Sequence, residues 1–326
     1  MDVLSDVLRT VRLTGAVYFD VRARAPWIAE TPQISSIRAN IMPEFEHVIP
    51  FHIVLDGWCW VHITDEPDSA VRMEAGDAVI IAGGDAHIMG TERGKAAPPD
   101  LSIYYRPQDR PLPFVLSELG GRGEQVNLVC GYLGCDSEPF NPILDALPRL
   151  LHVRAGSDRG NLIHDLIRMA LRESERPSAG GETILSKLSE LLFLQAVRQY
   201  LDDLPAESTG WLSGLRDRHV GTALRLMHAR PADRWTLDTL AREVGMSRSV
   251  FAERFTALIG SPPMHYLSNW RLQLAALALA HHGTSIAQVA AEVGYESEAA
   301  FNRAFKKQVG VTPGSWRRSQ MNTPRV

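Results

Sequence analysis

The sequence predicts an α+β protein of several domains, with a β-barrel or β-sandwich first, a helical region next and an all-helical domain last. Three observations support this prediction. Short runs of β-branched and aromatic residues, separated by Gly, Pro and Asp, fill residues 1–136. Apolar residues then recur at helical spacing over residues 137–210, and two similar segments lie within residues 211–326. We take these three ranges as the predicted domains.

The composition is that of a folded protein with more than one domain. Of the 326 residues, 45% are hydrophobic and 22% are charged, as in ordinary globular proteins. The apolar stretch 272–280 is too short to span a bilayer, and the first twelve residues show no secretory signal. Three cysteines in a chain of this length favour a reducing compartment. We therefore expect a cytoplasmic protein without a membrane partner.

The charge is unevenly distributed along the chain. The net charge is −4, yet residues 219–326 contain 13 Lys and Arg against seven Asp and Glu. This segment is therefore basic, and the remainder of the chain is acidic. A basic domain joined to an acidic body is typical of a nucleic-acid-binding protein with a separate control domain, although uneven composition alone has the same effect by chance.

The N-terminal region contains runs that predict β-strands at intervals of about ten residues. Four of them are residues 51–55, 58–63, 78–82 and 101–105. The pairs Asp56-Gly57 and Gly83-Gly84 are predicted to form hairpin-type turns. Further along, residues 177–181 divide the helical region into two helices. The second helix is predicted over residues 182–204, and residues 205–210 form a linker.

Two segments of the C-terminal region, 236–255 and 285–305, resemble each other. In each, a Thr or Ser is positioned to cap a first helix, and a Gly follows that helix where a tight turn needs a left-handed residue. A Ser then precedes a second helix. The matched residues are Thr236 and Ser285 as first caps, Ala241 and Ala290 as small contact residues, Gly245 and Gly294 in the turns, and Ser247 and Ser297 as second caps.

The second helix of each segment has two phenylalanines four residues apart. Phe251 and Phe255, like Phe301 and Phe305, are expected to face inward and hold that helix in place. An apolar stretch over 264–282, closed by Gly283, predicts one helix that connects the two units. The pattern therefore predicts two helix-turn-helix units, each with a recognition helix suited to the major groove of DNA.

These residues resemble the AraC/XylS family of transcription regulators over about residues 217–320. The second unit matches the family best, from Gly294 to Ser297 and on through Phe301, Phe305 and Pro313. The resemblance implies a sequence-specific DNA-binding transcription regulator. It also implies base-facing positions, which are Ser249, Ala252 and Glu253 in the first recognition helix and Glu298, Ala299, Asn302 and Arg303 in the second.

The chemistry of these side chains predicts unequal contributions from the two helices. Arg303 is suited to a guanine edge and Asn302 to an adenine edge. Other basic residues are expected to contact phosphates, which position the protein without specifying sequence, or else to be solvated surface charges. They are Arg248, Lys306, Lys307, Arg317 and Arg318. Arg254 is expected to pack against the connecting helix or to bond within its own bundle.

The N-terminal region resembles the cupin-type domain that precedes AraC-type modules in one branch of that family. The matching segments are 52–57, 76–81 and 83–87. Cupin enzymes hold a metal with two or three His and a carboxylate. This chain has no paired His-x-His with a following Glu, so we expect a sensor domain for a small molecule or metal and no enzyme.

Four residues form a candidate metal site: His52, His87, Cys130 and Cys135. Two imidazoles and two thiolates would complete a closed tetrahedral zinc site, which makes zinc the candidate cofactor. Two alternatives remain open. Cys130 and Cys135 could form a thiol pair that responds to oxidation, or all four residues could be ordinary core residues. His47 is a further candidate ligand, and Cys59, which lies between two tryptophans in the sequence, is expected to be a packed core residue.

The sequence thus predicts a cytoplasmic regulator that binds double-stranded DNA. The expected partners are a second copy of the chain, because symmetric sites favour dimers, a small-molecule effector, and RNA polymerase if the protein is an activator. Two alternatives have different functions. One is a metal-sensing or thiol-redox-sensing regulator that uses the four His and Cys residues, and the other is a cupin enzyme with a DNA-binding tail.

Overall fold

The computed structural model describes residues 2–11, 13–105, 112–154, 160–175, 179–205, 207–280 and 283–322. The chain divides into two units whose limits differ from those of the three predicted domains. The barrel unit consists of Leu13–Cys135 and Leu147–Asp203, and the helical unit consists of Met1–Arg12, Asp136–Ala146 and Leu204–Val326.

The barrel unit contains two β-sheets. Its strands are β1 (Leu13–Arg24), β2 (Ile28–Thr31), β3 (His47–Asp56), β4 (Trp58–Ile63), β5 (Val71–Glu74), β6 (Ala78–Ile80), β7 (His87–Gly90), β8 (Phe114–Gly120), β9 (Gln125–Cys135) and β10 (Leu151–Val153). One sheet has the order β10-β6-β3-β9-β1-β8 and the other β2-β7-β4-β5. Within the described strands β1 and β8 are parallel, and every other neighbouring pair is antiparallel.

A hydrophobic core lies between the two sheets, and strand alternation supplies it. In β4, Cys59, Val61 and Ile63 are buried in this core. Trp58 and Trp60 alternate with them and are only half-buried, with the guanidinium groups of Arg72 and Arg93 over their rings. The predicted strands at 51–55 and 58–63 are therefore confirmed within β3 and β4, and the strand predicted at 78–82 is confirmed as far as Ile80, where β6 ends.

The two predicted glycine turns exist but do not form hairpins. Gly57 and Gly84 both have positive φ angles, of 78° and 67°. A Cβ atom on Gly57 would meet the carbonyl oxygen of Gln125 at 2.6 Å, so only glycine fits there. The strands that flank each turn belong to different sheets. The hairpin prediction was wrong because each turn carries the chain from one sheet to the other.

The strand predicted at 101–105 was also wrong, because Leu101–Tyr104 forms a 3₁₀ helix. The side chain of Asp100 accepts a hydrogen bond from the backbone N–H of Ser102 at 2.9 Å. Such a local side-chain bond stabilises a helical turn in competition with strand pairing. Tyr104 still reaches the core, where its ring makes an edge contact with Phe19.

The described residues of the barrel unit also form three α-helices: α2 (Ile34–Ile41), α4 (Gly160–Glu175) and α5 (Gly181–Asp203). The bounds of α5 agree with the helix predicted at 182–204. A Cβ atom on Gly15 of β1 would lie 2.4 Å from Cβ of Ser189 in α5. The absence of a side chain at Gly15 therefore lets α5 pack closely on the sheet.

The helical unit contains the remaining helices of the described residues. They are α1 (Val3–Thr10), α3 (Pro142–Ala146), α6 (Trp211–Arg216), α7 (Arg218–Ala229), α8 (Leu237–Glu243), α9 (Arg248–Ile259), α10 (Pro263–Ala280), α11 (Ile286–Glu292), α12 (Glu298–Val309) and α13 (Pro313–Asn322). No helix within the described ranges combines the length and the apolar character needed to cross a membrane.

The helical unit includes two segments from outside the predicted C-terminal domain. Helix α1 packs against α7 and α10 and buries Val3, Leu4 and Val7. The segment 136–146 places α3 against α6. Both segments join the helical unit because their apolar side chains are buried there, although they flank barrel strands in the sequence.

Candidate nucleic-acid interface and buried histidine pair

The first helix-turn-helix consists of α8 and α9, and a capping box stabilises the N-terminus of α8. The hydroxyl of Thr236 accepts from the N–H of Thr239 at 3.1 Å, and the hydroxyl of Thr239 accepts from the N–H of Thr236 at 2.8 Å. Gly245 has φ of +70° in the turn. Ser247 occupies the cap position of α9, but its side chain makes no capping hydrogen bond, so this part of the capping prediction was wrong.

The second helix-turn-helix consists of α11 and α12. Ser285 and Ser297 accept from the N–H groups of Gln288 and Ala300 at 3.1 and 3.2 Å, as predicted. The inward-facing phenylalanines of both units are fully buried, and they are Phe251, Phe255, Phe301 and Phe305.

The two units differ by one residue in the turn. Helices α9 and α12 each have twelve residues and begin at positions 248 and 298, whereas α8 and α11 begin at 237 and 286. Arg303 therefore corresponds to Glu253 of the first unit, not to Arg254. The second recognition helix carries a cation where the first carries an acid.

The predicted DNA contacts all remain accessible on the two recognition helices. Ala252 and Asn302 are half-buried and the others are exposed, namely Arg248, Ser249, Glu253, Glu298, Ala299, Arg303, Lys306 and Lys307. On α12 these residues recur every four positions, so they share one face. This arrangement agrees with a DNA-contacting face, while the contacts themselves stay a prediction.

The two recognition helices differ in how many free cations they offer. Arg248, at the start of α9, lies 3.4 Å from the carboxylate of Asp238. Within the described part of the chain, Arg303, Lys306 and Lys307 have no acidic partner. The face of α12 is therefore better suited to attract phosphates and base edges than the face of α9.

Arg254 bonds within its own helical bundle, which is one of the two roles predicted for it. Its Nε and Nη2 atoms donate to Oδ2 of Asp217 at 3.0 and 2.5 Å. The other oxygen of Asp217 accepts from the N–H groups of His219 and Val220 at the start of α7. Burial alone would raise the pKa of Asp217, but the hydrogen bonds from Arg254, Val220 and His219 outweigh burial and hold the pKa low.

Two arginines hold the loop that precedes the first helix of each helix-turn-helix unit, a role that the sequence analysis did not predict for either of them. Arg271 of α10 donates to the carbonyls of Pro231 and Asp233 at 2.7 Å, in the loop before α8. Arg317 of α13 donates to the carbonyl of Thr284 at 2.7 Å, beside the cap of α11. The side chain of Arg317 is half-buried and holds this loop, while its predicted phosphate contact stays a prediction. The signal for Arg271 was that it is the one Lys, Arg, Asp or Glu residue of α10.

Arg318, the other C-terminal arginine predicted to contact phosphate, is exposed on α13. Its Nη2 donates to the hydroxyl of Ser315 at 3.0 Å. A hydrogen bond to a neutral hydroxyl leaves the charge of Arg318 available, so its phosphate contact stays a prediction.

In the barrel unit, His52 of β3 and His87 of β7 form a buried pair. Their Nε2 atoms lie 2.7 Å apart, and burial lowers the pKa of His87 to about 4 and that of His52 well below its usual value. Both rings are therefore neutral near pH 7. Nδ1 of His87 lies 2.8 Å from the carbonyl oxygen of Asp85, which can only accept, so Nδ1 carries the proton.

This tautomer determines the hydrogen bond between the two rings. Nε2 of neutral His87 is an acceptor, and His52 donates its Nε2–H to it. Nδ1 of His52 is then a buried acceptor, and it has no hydrogen-bond partner among the described residues. The pair thus holds an unused lone pair inside the barrel.

The structure does not bring the four predicted metal ligands together. Cys130 lies opposite His52 in the β3–β9 register, so these two side chains share a face. Cys135 lies five residues further along β9, in register with His47 and without a bulge. It therefore points to the opposite face, about 16 Å away along the strand. Among the residues that the structure describes, no three His, Cys, Asp or Glu side chains form a metal-binding group.

The same geometry corrects the thiol-pair alternative. Two cysteines about 16 Å apart on one strand cannot form a disulfide. Burial raises the pKa of Cys130 and raises that of Cys59 to about 12, so neither is a ready thiolate. Cys59 packs in the core as expected. His47 is engaged elsewhere, since its Nε2 donates to the carbonyl of Ala82 at 2.7 Å.

Comparison with known proteins agrees with both halves of this description. A cupin family model matches residues 2–202, and a helix-turn-helix domain model matches residues 240–319. The chain is 30% identical to the HTH-type transcriptional regulator AlkR of Acinetobacter baylyi, over 97% of this chain and 99% of that protein. The chain belongs to the AraC-type transcription regulators with an N-terminal cupin domain.

Other members of the AraC-type family match over similar lengths. A Streptomyces antibioticus protein named as an AraC-like transcription regulator is 29% identical over 98% of this chain and 100% of its own length. The DNA-binding domain of AdpA, solved in complex with a target DNA, is 28% identical and covers 32% of this chain and 92% of that one, with a TM-score of 0.31. The predicted family, fold class and role as a DNA-binding regulator are confirmed.

Proposed function

We propose that this AraC-type regulator recognises a specific DNA site chiefly through α12. The observation that carries the proposal is the accessible face of α12, where Asn302 and Arg303 adjoin Lys306 and Lys307, two cations with no acidic partner among the described residues. Arg and Asn are the side chains best suited to guanine and adenine edges. On α9 the corresponding positions hold Ala252 and Glu253. Helix α9 therefore binds DNA more through phosphate contacts than through base contacts.

The experiment is selection of binding sites from random DNA, followed by footprinting of the selected site. We expect a bipartite site in which the half bound by α12 is the more sharply defined. Variants in which Ser249 or Asn302 is replaced by Ala assign each half to its helix. Two halves of equal sequence definition, or stronger definition in the half that Ser249→Ala affects, would contradict the proposal.

The proposed regulator acts as a homodimer paired through α5. Ile184 and Leu191 are exposed at 42% and 47% and lie one heptad apart on this 23-residue helix. Apolar residues at that spacing pair helices of two copies, and a dimer suits a symmetric DNA site. Sedimentation analysis should show dimers that Leu191→Glu dissociates and that Glu182→Gln, an exposed change on the same helix, leaves intact.

The barrel unit is proposed to sense rather than to catalyse, in line with a family of transcription regulators. We place the effector at the His52–His87 pair, where the unused lone pair of His52 offers a binding contact. The described residues do not form the closed tetrahedral zinc site that the sequence predicts, so zinc is only one candidate effector, held by the two imidazoles.

Metal analysis of the purified protein tests this proposal directly. His52→Gln removes one imidazole, and His47→Gln on the same strand serves as the matched control. Metal or effector binding that His52→Gln abolishes and His47→Gln preserves would support the pair as the receptor. Equal binding by both variants would contradict it. Contact with RNA polymerase, as an activator, and a cytoplasmic location stay predictions.

A further inference from the structure

A cavity of about 560 Å³ opens in the helical unit beside the segment 137–146. Nothing in DNA recognition uses it, yet its volume lies within the range of small-molecule sites. Apart from that segment, its wall includes Trp211, Ile259, Gly260, His265, Asn269 and Gln308.

Two buried polar residues line the described wall. The amide of Asn141 donates to the carbonyl of Asp136 and accepts from the N–H of Ile143, whereas Asn269 of α10 has no such partners in the described part of the chain. Its side chain is only 8% exposed, and the amide forms no hydrogen bond with any described residue. The amide atoms of Asn269 are not among the fully enclosed, unpartnered polar atoms of the described residues, so they are accessible from the cavity that Asn269 lines. The side chain therefore offers both a donor and an acceptor to a molecule in the cavity.

The electrostatic character of the cavity is acidic. Glu138 and Asp145 line it, and neither has a cationic partner in the described part of the chain. Surrounding protein atoms partly desolvate the carboxyl group of Asp145 and raise its pKa. No lysine or arginine is among the described residues of the wall.

The helix termini at the cavity carry partial charges of the same negative sign as its acidic side chains. Ile259 is the last residue of α9, and Gln308 is the next-to-last residue of α12. The carbonyl end of a helix carries a partial negative charge that favours a cation. Residues near the carbonyl ends of both recognition helices therefore line the cavity together with the segment 137–146.

We propose that the cavity binds a small aliphatic amine, with its ammonium group held by Asp145 and Glu138 and a second polar group bonded to Asn269. Such a ligand would contact the segment 137–146 and the ends of α9 and α12 together. The site is separate from the DNA-contacting face and from the His52–His87 pair, so it goes beyond the proposed function.

Isothermal titration of the full chain, without DNA, tests this site with putrescine and with 1,4-butanediol as the neutral probe of equal length. We expect saturable binding of putrescine and none of the diol. Asp145→Asn and Asn269→Leu should each weaken putrescine binding by about tenfold or more. Asp68→Asn, the same charge change at an exposed position of the barrel unit, should leave binding unchanged.

Several results would overturn the site. They are absence of saturable putrescine binding, equal binding of the diol, and wild-type affinity in either cavity variant. Thermal unfolding of each variant shows whether it folds. If Asn269→Leu does not fold, the comparison of amine with diol and the Asp145→Asn variant still decide the question. Operator binding plays no part in the measurement, so failure here is distinct from failure of the DNA proposal.

Discussion

The side-chain oxygen of Gln273 accepts a hydrogen bond from the backbone N–H of Phe140 at 3.0 Å. Gln273 is a buried polar residue, only 2% exposed, in the middle of α10, and its amide nitrogen lies 3.5 Å from the carbonyl oxygen of Thr10. One side chain of the connecting helix therefore contacts both segments that flank the barrel strands β1 and β9.

Replacement of Gln273 should destabilise the helical unit. Gln273→Met keeps the approximate volume but leaves the N–H of Phe140 without its acceptor, which costs about 1–3 kcal/mol. Urea unfolding followed by tryptophan fluorescence measures the change. Gln288→Met, at an exposed position of α11, should be neutral within about 0.5 kcal/mol. Equal stability of the two variants would show that the bond contributes nothing.

Arg303 should affect specificity, whereas Lys307 should affect affinity alone. Arg303→Ala is expected to weaken binding to the selected site by about 1–3 kcal/mol and to leave random DNA nearly unaffected, because a base contact is lost. Lys307→Ala should weaken both alike and reduce the salt slope by about one. Fluorescence anisotropy at several salt concentrations separates these effects. Equal losses of Arg303→Ala on both DNAs would exclude base recognition by Arg303.

His228 should make the folded state less stable in acid. Burial lowers its pKa from 6.5 to about 3, so the unfolded chain binds a proton that the folded chain excludes. Stability therefore falls as the pH drops from about 6.5 towards about 3, by at most about 1.4 kcal/mol per pH unit. The buried His52 and His87 contribute with the same sign.

The variant His228→Phe isolates the contribution of His228 to the pH dependence of stability. Phe can retain the stack on Trp270, which in the wild type has a centroid separation of 4.0 Å, and it cannot titrate. Urea unfolding at about pH 7.5, 6 and 5 should give a shallower slope for the variant. A slope equal to that of the wild type would show that His228 titrates normally in the folded state.

Gly15 should be intolerant of any side chain. A Cβ atom there would lie 2.4 Å from Cβ of Ser189 and 2.8 Å from the carbonyl oxygen of Ser186, so α5 would have to move away from β1. We expect Gly15→Ala to cost about 1–3 kcal/mol. Gly314→Ala is the control, because its Cβ atom would meet nothing closer than 3.8 Å. Calorimetry that finds both variants equally stable would contradict this packing.

Cys130 should react slowly with thiol reagents. Its pKa is raised by burial, and the thiolate is the reactive species. Iodoacetamide labelling of native protein, followed by mass spectrometry, should leave Cys130 unmodified while unfolded protein reacts fully. Rapid labelling of native protein at neutral pH would revive the thiol-sensing alternative.

Much of the fold could be predicted because local patterns determine it. Runs of β-branched and aromatic residues identified β3, β4 and β6, and the Gly and Ser positions of the two repeats identified the turns and most caps of the helix-turn-helix units. The error at residues 101–105 arose from a capping hydrogen bond of Asp100, which outweighed strand propensity. The two glycine turns were located correctly, but the sheets that they connect are a long-range property.

The sequence by itself determined the two helix-turn-helix units, the family and the acidic and basic halves of the chain, because these depend on local spacing and composition. Only the tertiary structure decided that Cys130 and Cys135 point to opposite faces of β9, and that His52 meets His87. It also decided that α1 and residues 136–146 pack with the helical unit. These relationships depend on strand register and on packing between segments distant in sequence, which local patterns do not encode.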